Sequence, residues 1–198
     1  MSRASRVDAA KHRDEVVNAT ARLLRERGAA ATSVQDVMSA AGLTHGGFYK
    51  HFGSKDELVG VAADAAFAEL LQKVDDIIGE FPDASLARPA LAADYLSAGH
   101  RDDPGSGCAN AGLAADAARS AEQSPLRRAY GEGFEAVVAR LTEVHRSAGR
   151  DASEARQLAL VYLATTVGAL TLARATAGSP VSDEILDAAR LALTSSSL

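Results

Sequence analysis

Several residue types are scarce in this chain of 198 residues, and the scarcity excludes some classes of protein. A single cysteine, Cys108, cannot form a disulfide bond within the chain, so no such bond holds this fold together. Aromatic residues make up only 5% of the sequence and there are 5 prolines, whereas alanine is abundant and β-branched residues do not alternate regularly. We therefore predict an all-α protein with about nine helices and essentially no sheet.

Long apolar segments are also missing. The longest uncharged run, Leu158 to Ala173, has sixteen residues, including Tyr162 and three threonines, so it falls short of a membrane span and is predicted to be a buried helix. No charged-then-apolar leader opens the sequence, which together with the lone cysteine predicts a cytoplasmic protein without a membrane partner. The apolar content of 47% provides for a hydrophobic core and excludes a disordered chain.

Negative charge predominates in the chain as a whole, but it is unevenly distributed. Residues 1–55 contain nine Lys and Arg against five Asp and Glu, whereas residues 56–198 contain twelve against twenty-one. The two parts therefore carry net charges near +4 and −9. Such a basic end indicates nucleic-acid binding by that end. We predict a DNA-binding domain at residues 1–55 and an acidic helical domain at residues 56–198.

Capping signals mark helix starts within the basic part. Two pairs, Ser33 with Asp36 and Ser54 with Glu57, fit the capping-box pattern. In this pattern the N-cap hydroxyl accepts a hydrogen bond from the N3 amide, and the N3 carboxylate accepts one from the N-cap amide. Gly42 stands where a helix ends in a left-handed residue. This close spacing predicts a helix-turn-helix that leads directly into a long third helix, which would connect the two domains rigidly.

A short helix from His45 to Phe52 is predicted after the turn. Thr44 is its expected N-cap, and Leu43 and Phe48 occupy the two positions of a hydrophobic staple. The face opposite the phenylalanines consists of Gly46, Gly47 and Lys50, flanked by Tyr49 and His51. Two glycines within a helix cost roughly 1 kcal/mol each relative to alanine. That cost is explained if a DNA groove approaches the backbone; the alternative is that the glycines merely loosen a surface turn.

Glycine, proline and serine divide the rest of the chain. The first ten residues, which include Arg3 and Arg6, are either a basic arm that follows DNA or a disordered terminus. Gly28 ends the first helix, and RDDPGSG at residues 101–107 is the clearest loop. The predicted helices are 11–27, 34–41, 45–52, 55–80, 84–100, 108–121, 126–146, 152–177 and 182–194.

Catalytic and metal-binding patterns are missing from the sequence. It contains no paired histidines at metal-ligand spacing, no nucleophile elbow and no glycine-rich phosphate loop behind a strand. Cys108 with His100 or His145 is the one combination that resembles a nucleophile with its base. We predict that the chain is not an enzyme and binds no metal or cofactor. The alternative to a DNA-binding protein is a helical protein-interaction module whose basic end binds an acidic partner.

The first sixty residues resemble the tetracycline-repressor (TetR) family of bacterial transcriptional regulators. The resemblance lies in an opening helix that ends at RERG and in the segment ATSVQDVMSAAGLTHGGFYKHFGSKDELV. It implies a three-helix DNA-binding domain followed by a helical domain for ligand binding and dimerisation. It also implies phosphate contacts for Thr32 or Ser33, Tyr49, His51 and Lys55, and contacts with base edges or the adjacent backbone for Thr44, His45, Gly46, Gly47 and Lys50. The start His-Gly-Gly-Phe departs from the more usual Ser-Lys-Gly-Thr-Leu-Tyr, which implies base reading by fewer side chains.

A second segment, YLSAGHRDDPGSGCANAGLAAD at residues 95–116, is similar to a TetR subgroup that includes the N-ethylmaleimide-responsive repressors. In that subgroup a cysteine at this place responds to electrophiles or oxidants. Cys108 fits this role physically, because amide dipoles in a first helical turn favour the thiolate and His100 is near in sequence, although Asp102 and Asp103 oppose it. The alternative is an inert, small apolar residue.

These features together predict a homodimeric repressor that is released from double-stranded operator DNA by a small molecule or an electrophile. Helices 152–177 and 182–194 are expected to form a four-helix dimer interface; the alternative is that the first of them is the central helix of a monomeric bundle. The candidate effector-binding residues are Phe67, Tyr95, His100, Cys108, Asn110, Tyr130 and Phe134, with His145 as a further polar contact.

Overall fold

The computed structural model describes residues 3–195, including the side chains of residues 8–195. This part of the chain is helical and contains no strand, as the sequence predicts. Its α-helices are α1 (Arg3–Arg27), α2 (Val34–Ala40), α3 (Lys55–Gly79), α4 (Arg88–Tyr95), α5 (Ala98–Asp102), α6 (Ala109–Arg119), α7 (Pro125–Ser147), α8 (Ala152–Ala175) and α9 (Pro180–Thr194). Two 3-10 helices complete it: His45–Lys50, called the recognition helix below, and Ala84–Ala87.

The first helix begins earlier than the sequence predicts. α1 starts at Arg3, so residues 3–10 are neither an extended arm nor a disordered end. Neither glycine nor proline interrupts this stretch, which allows the helix to extend toward its N-terminus. The side chains of Arg3 and Arg6 lie outside the described residues. At its other end α1 stops before Gly28, whose φ of +78° is left-handed, as expected.

A small core joins α1, α2, the recognition helix and the start of α3. Phe48 and Phe52 lie on one face, as predicted, with ring centroids 5.8 Å apart, and Arg13 stands 5.0 Å above the Phe52 ring. Leu43 packs against the same core, consistent with the staple. The buried members are Val16, Val17, Leu23, Val37, Met38, Phe48, Phe52 and Leu58. This core determines which face of the recognition helix stays exposed.

The capping predictions are mostly confirmed. Ser33 and Asp36 form both bonds of the capping box. Ser54 accepts a hydrogen bond from the Glu57 amide at 3.1 Å, but the Glu57 carboxylate accepts from the Gly53 amide at 2.8 Å, not from that of Ser54. Gly42 has the predicted left-handed conformation, with φ of +69°.

The recognition helix differs from the prediction in type and length. It is a 3-10 helix that ends at Lys50, whereas the sequence predicts an α-helix to Phe52. Thr44 precedes it in extended conformation, but its side chain makes no capping hydrogen bond. A segment this short, with Gly46 and Gly47 near its start, gains little from α-helical hydrogen bonding, and 3-10 geometry is common in such pieces.

α3 contributes to both cores of the protein. Leu58 belongs to the small core, whereas Val59, Ala62, Ala63 and Phe67 belong to a larger core built with the helices that follow. The larger core is formed by α3, α4, α6, α7, α8 and α9, together with Ala21 and Leu24 of α1. The predicted long helix is thus confirmed, and it runs from one core into the other.

The segment 84–100 is not one helix as predicted. A 3-10 helix leads into α4, and the chain leaves helical conformation at Leu96 before α5 begins. Leu96 is fully buried, and the Ser97 hydroxyl caps α5 by accepting from the His100 amide at 3.2 Å. This bend brings the His100 ring edge-on to the Tyr95 ring, 4.7 Å away.

α8 and α9 pack against each other and leave apolar residues at the surface. The exposed large apolar residues on them are Leu160, Val161, Leu172, Val181 and Leu191. By length and composition alone, α8 is long and apolar enough to cross a membrane. This differs from the prediction, which considered only its shorter uncharged run. In the most apolar 18-residue segment of α8, 39% of the residues are buried. Part of this helix pair is therefore an uncovered apolar surface.

Candidate DNA-binding surface and effector pocket

The recognition helix exposes most of the residues predicted to bind DNA. Phe48 is buried beneath it, and the Tyr49 ring, 73% exposed, stands edge-on to the Phe48 ring at 5.1 Å. The exposed predicted residues are Ser33, Thr44, His45, Gly46, Tyr49 and Lys50, while Gly47, His51 and Lys55 are partly exposed. One side of the helix is thus held by the core and the other is accessible.

Thr32 departs from this pattern. It is 2% exposed, and its hydroxyl donates to the Gly28 carbonyl oxygen at 2.8 Å. The predicted phosphate contact of its side chain is therefore wrong, because the hydroxyl satisfies a carbonyl at the end of α1 instead. Ser33 is exposed, although its hydroxyl also donates to the Asp36 carboxylate at 2.6 Å. That hydrogen bond is the main reason why the pKa of Asp36 is lowered.

Lys55 connects the start of α3 to the turn after α1. Its Nζ donates to the Ala29 carbonyl oxygen at 2.8 Å. This oxygen offsets the unfavourable position of a cation in a first helical turn. An ammonium group has three donors, so two remain that can bind a phosphate.

The two glycines of the recognition helix are not required by the fold. A Cβ atom at Gly46 meets nothing within 4 Å, and one at Gly47 meets the Met38 methyl group at 3.6 Å, an ordinary contact. Neither has a positive φ. Packing within the protein and backbone conformation therefore give no reason for glycine at either position.

A pocket lies among α3, α4, α6, α7 and α8, with about 710 Å³ of empty space when its open side is included. We call it the central pocket. Its apolar walls are Leu70, Val74, Ile77, Leu91, Val137, Leu141 and Leu163. Its polar residues are Arg25, Glu69, Lys73, Asp94, Tyr95, His100, Ser106, Cys108, Asn110, Tyr162 and Thr166. Four predicted effector-binding residues, Tyr95, His100, Cys108 and Asn110, are thereby brought together.

Phe67, Tyr130 and Phe134 do not line the central pocket as predicted. They pack beside it: the Phe67 ring is edge-on to the Tyr130 ring with centroids 5.5 Å apart, and Tyr130 stacks with Phe134 at 6.2 Å. The Phe67 ring fills the space left by Gly133, where a Cβ atom would lie 2.2 Å from it. Burial raises the pKa of Tyr130 to about 12. These aromatic residues are core between α3 and α7.

Cys108 is the N-cap of α6, and its thiol is buried. Burial raises the pKa of Cys108 despite the opposing influence of the Tyr95 hydroxyl and of the amides of Ala111 and Asn110. The prediction that amide dipoles favour the thiolate is therefore wrong, because desolvation raises the pKa of the thiol by more than the dipoles lower it.

His100 orders the backbone at Cys108 and does not activate the thiol. Its Nδ1 lies 2.7 Å from the Tyr95 carbonyl oxygen, and its Nε2 accepts the Cys108 backbone N–H at 3.0 Å. This arrangement requires a neutral imidazole with its proton on Nδ1. Burial is the main cause that lowers the pKa of His100.

His145 lies away from the central pocket, contrary to prediction. It lines a small cavity with Arg88, Tyr162 and Leu193 and is only 4% exposed. Burial, reinforced by the charges of Arg88 and Arg150, lowers its pKa to about 4. It is therefore a neutral core histidine.

α1 is bound directly to the loop that borders the central pocket. Arg25 donates from Nε to the Gly105 carbonyl oxygen at 2.7 Å and pairs with Glu69 of α3 at 2.8 Å. Nearby, the Ala29 amide donates to the Asp116 carboxylate of α6 at 2.7 Å. Arg25 is not among the residues predicted from the sequence, although it continues the inward spacing of Val17 and Ala21 on α1.

Comparison with known proteins agrees with this geometry. Residues 16–62 match the family "Bacterial regulatory proteins, tetR family", and residues 90–189, more than half of the chain, match "Transcriptional regulator LmrA/YxaF-like, C-terminal domain". The HTH-type transcriptional repressor Rv3405c of Mycobacterium tuberculosis is 43% identical over 49 residues, which are 25% of this chain and 26% of that protein. The repressor KstR2 of Rhodococcus jostii is 34% identical over 86 residues, 43% of this chain and 42% of that protein. The match thus spans a quarter to two fifths of these relatives.

Solved structures share the fold over nearly the whole chain. A TetR regulator from Chloroflexus aurantiacus has a TM-score of 0.79 at 24% identity, covering 94% of this chain and 93% of that one. The reduced form of Escherichia coli NemR has a TM-score of 0.78 at 20% identity, covering 92% and 95%. Identities this low show the fold alone, so the resemblance to the N-ethylmaleimide-responsive subgroup stays a prediction. With its helix-turn-helix and its C-terminal domain both matched, the chain belongs to the TetR family of bacterial transcriptional regulators.

Proposed function

We propose that this regulator is a homodimeric repressor that binds operator DNA through its recognition helix and leaves it when a small molecule occupies the central pocket. The exposed recognition helix, with two glycines that the fold does not require, is the observation that carries the DNA-binding part. The relatives Rv3405c and KstR2 are named repressors, which supports the direction of regulation. Such a protein acts on cytoplasmic DNA and needs neither catalysis nor a membrane.

The DNA-binding domain comprises residues 1–55 and the effector domain residues 56–198 in this proposal. The basic charge of the first part supports the division. The side chains proposed to bind phosphates are those of Ser33, Tyr49, His51 and Lys55. Gly46 and Gly47 allow the backbone of the recognition helix to approach the major groove. The side chains proposed to reach base edges are Thr44, His45 and Lys50.

The exposed apolar residues of α8 and α9 support dimerisation through these helices. An apolar surface on both helices of a packed pair suits a symmetric interface, in which a second copy supplies the complementary pair. A dimer places two recognition helices in successive major grooves, with half-sites about one helical turn, roughly 34 Å, apart.

Occupation of the central pocket reaches the DNA-binding domain through α1 and α3 in this proposal. Arg25 and Glu69 line the pocket and are paired with each other, and Arg25 also holds the loop at Gly105. A ligand that shifts this loop or α3 changes the position of α1. Lys55 passes the change on, because it is bonded to the turn after α1 at Ala29.

Salt-dependent DNA binding tests this proposal. Genomic fragments that the full-length protein retains are isolated, and the affinity of one fragment is measured across a salt series. We expect log K to fall steeply with log salt, and Lys55→Ala, which removes a proposed phosphate contact, to reduce that slope by about 1. Arg146→Ala is the matched control, because it removes a positive charge at an exposed ion pair with Glu143 within α7, outside both the DNA-binding domain and the proposed dimer interface.

Two results would overturn the proposal. One is that no fragment is retained and binding has no steep salt dependence, which would favour a helical protein-interaction module. The other is that Arg146→Ala reduces the salt slope as much as Lys55→Ala does. In that case the charge of the whole protein, and not the proposed phosphate contacts, would determine binding.

A further inference from the structure

The central pocket contains buried polar atoms that the protein itself does not satisfy. Across the described residues, no hydrogen-bond partner of good geometry exists for Tyr95 Oη, for Tyr162 Oη or for either side-chain atom of Asn110. Asn110 is 1% exposed and Tyr162 is 7% exposed. Tyr95 Oη has the Cys108 thiol as a neighbour, but a thiol is a weak partner. Native proteins rarely leave buried polar groups unpaired, so each of them requires an explanation.

Position gives that explanation. The three residues come from different elements, Tyr95 from α4, Asn110 from α6 and Tyr162 from α8, and all of them line the same pocket. Between them the walls are leucine, valine and isoleucine. Ligand sites typically have this composition, with few polar groups in fixed positions on an apolar surface.

The charged groups of the central pocket, by contrast, already have partners. Arg25 pairs with Glu69 at 2.8 Å, and Lys73 pairs with Asp94 at 2.7 Å. His100 has both ring nitrogens engaged. Lys73 keeps two further donors but is half exposed, so an anion held there would stay largely in solvent. A charge buried beside Asn110 would meet no unpaired opposite charge, which costs free energy.

We infer that the central pocket takes an uncharged, mostly apolar molecule that both donates and accepts hydrogen bonds, with the Asn110 carboxamide as its main polar contact. The Asn110 side chain offers an acceptor and donors side by side, which a ligand carboxamide or lactam complements. The Tyr95 and Tyr162 hydroxyls bind further oxygen or nitrogen atoms of the ligand. One part of this inference rests on the proposed function, namely that ligand binding releases DNA.

The ligand is bound without a covalent bond to Cys108. The thiol is 3% exposed, and its backbone N–H is bonded to His100. Burial keeps the thiol neutral and hence a weak nucleophile. The unpaired side-chain carboxamide of Asn110, two residues further along the chain, is the better group for recognising a ligand.

Three probes with the same ring system test the inference on the full-length protein: 6-hydroxy-2-naphthamide, its anionic analogue 6-hydroxy-2-naphthoate, and naphthalene. The chain contains no tryptophan, so the fluorescence of the naphthyl probes is read without overlap from that residue. We expect the amide to bind about tenfold or more tightly than the carboxylate. Asn110→Leu should weaken amide binding by about tenfold to a hundredfold and leave naphthalene binding within about twofold.

Asn18→Leu is the matched control, because it makes the same substitution at an exposed site on α1. It should leave all three affinities unchanged. The melting temperature of ligand-free Asn110→Leu should be equal to or higher than that of the wild type, since the lost amide has no partner in the protein. A purely structural asparagine would lower it.

The inference is overturned if the carboxylate binds as tightly as the amide, or if Asn110→Leu binds the amide like the wild type. It is also overturned if Cys108→Ser abolishes amide binding. DNA retention without any probe is measured in parallel. Its absence would defeat the proposed repressor and leave the fluorescence result standing, so the two failures are distinguishable.

Discussion

Arg25 of α1 donates to the carbonyl oxygen of Gly105 at 2.7 Å, across eighty positions of sequence. The arginine is largely buried and also pairs with Glu69 of α3. Two helices of the N-terminal part are thereby tied to the loop before Cys108. Because Arg25 and that loop both line the central pocket, this contact connects the pocket directly to the helix that supports the helix-turn-helix.

Arg25→Ala should weaken both stability and the response to ligand. The Gly105 carbonyl loses its partner, so we expect the free energy of unfolding to fall by about 1–3 kcal/mol. We also expect 6-hydroxy-2-naphthamide to release less DNA from this variant at saturating concentration. Fluorescence titration of the same variant separates lost coupling from lost binding.

Arg146→Ala is the control for this prediction as well. Its ion pair with Glu143 is exposed, so its loss should cost less than about 1 kcal/mol and leave the response unchanged. Complete DNA release from ligand-saturated Arg25→Ala would show that the pocket acts on α1 by another route.

Gly46→Ala and Gly47→Ala should separate stability from DNA binding. A methyl group fits at both positions, so stability should stay equal or rise by up to about 1 kcal/mol through reduced flexibility of the unfolded chain. If the DNA backbone approaches here, the same methyl group should lower operator affinity about tenfold. Thermal melts and titration of a retained fragment measure the two effects.

Gly131→Ala on α7 is the matched control, since a Cβ atom there also meets nothing within 4 Å. It should stabilise the protein without any effect on DNA binding. Unchanged affinity in both Gly46→Ala and Gly47→Ala would mean that the glycines only loosen a surface turn.

Local chemistry explains which parts of the fold the sequence could predict. The caps at Ser33 and Ser54 and the left-handed Gly42 depend on neighbouring residues, so their signals are present in a few consecutive letters. The bend at Leu96 is different, because it depends on burial of that leucine against distant helices. Apolar periodicity alone does not reveal that the helix stops there.

The pocket was harder to predict because its lining comes from α1, α5 and the loop before Cys108 as well as from the five helices around it. Phe67 looks like a wall residue until Gly133 of α7 is seen to receive its ring. Arg25 looks like a surface charge until the loop at Gly105 closes over it. Tyr162 was counted as part of a buried helix, and its unpaired hydroxyl becomes visible only when its surroundings are known.

Dimerisation can be tested on the exposed leucines of α8 and α9. Leu172 and Leu191 are 58% and 68% exposed, so a charge at either place should not unfold the protomer. We expect Leu172→Glu and Leu191→Glu to shift the protein to monomers at low micromolar concentration, because the second copy would bury an unpaired carboxylate. Sedimentation velocity measures the change, and operator affinity should fall with it.

Leu86→Glu provides the comparison, since Leu86 is 55% exposed on the 3-10 helix before α4. It should remain dimeric. If all three variants behave alike, whether as dimers or as monomers, the proposed surface of α8 and α9 is not the interface.

Acid should destabilise the protein in part through His145. Its pKa is about 4 in the folded protein, below the ordinary value of 6.5, so the unfolded chain binds more protons between these values. The stabilising contribution of neutral His145 to the fold is fully present above pH 6.5 and is lost as the pH falls toward 4. By linkage it amounts to about 1–2 kcal/mol between pH 7 and pH 5. His145→Gln should therefore lose less stability than the wild type over this interval, as measured by urea unfolding at each pH.

His12→Gln, at an exposed position of α1, should follow the wild type. Parallel pH profiles for all three proteins would show that the pKa of His145 is not lowered by folding.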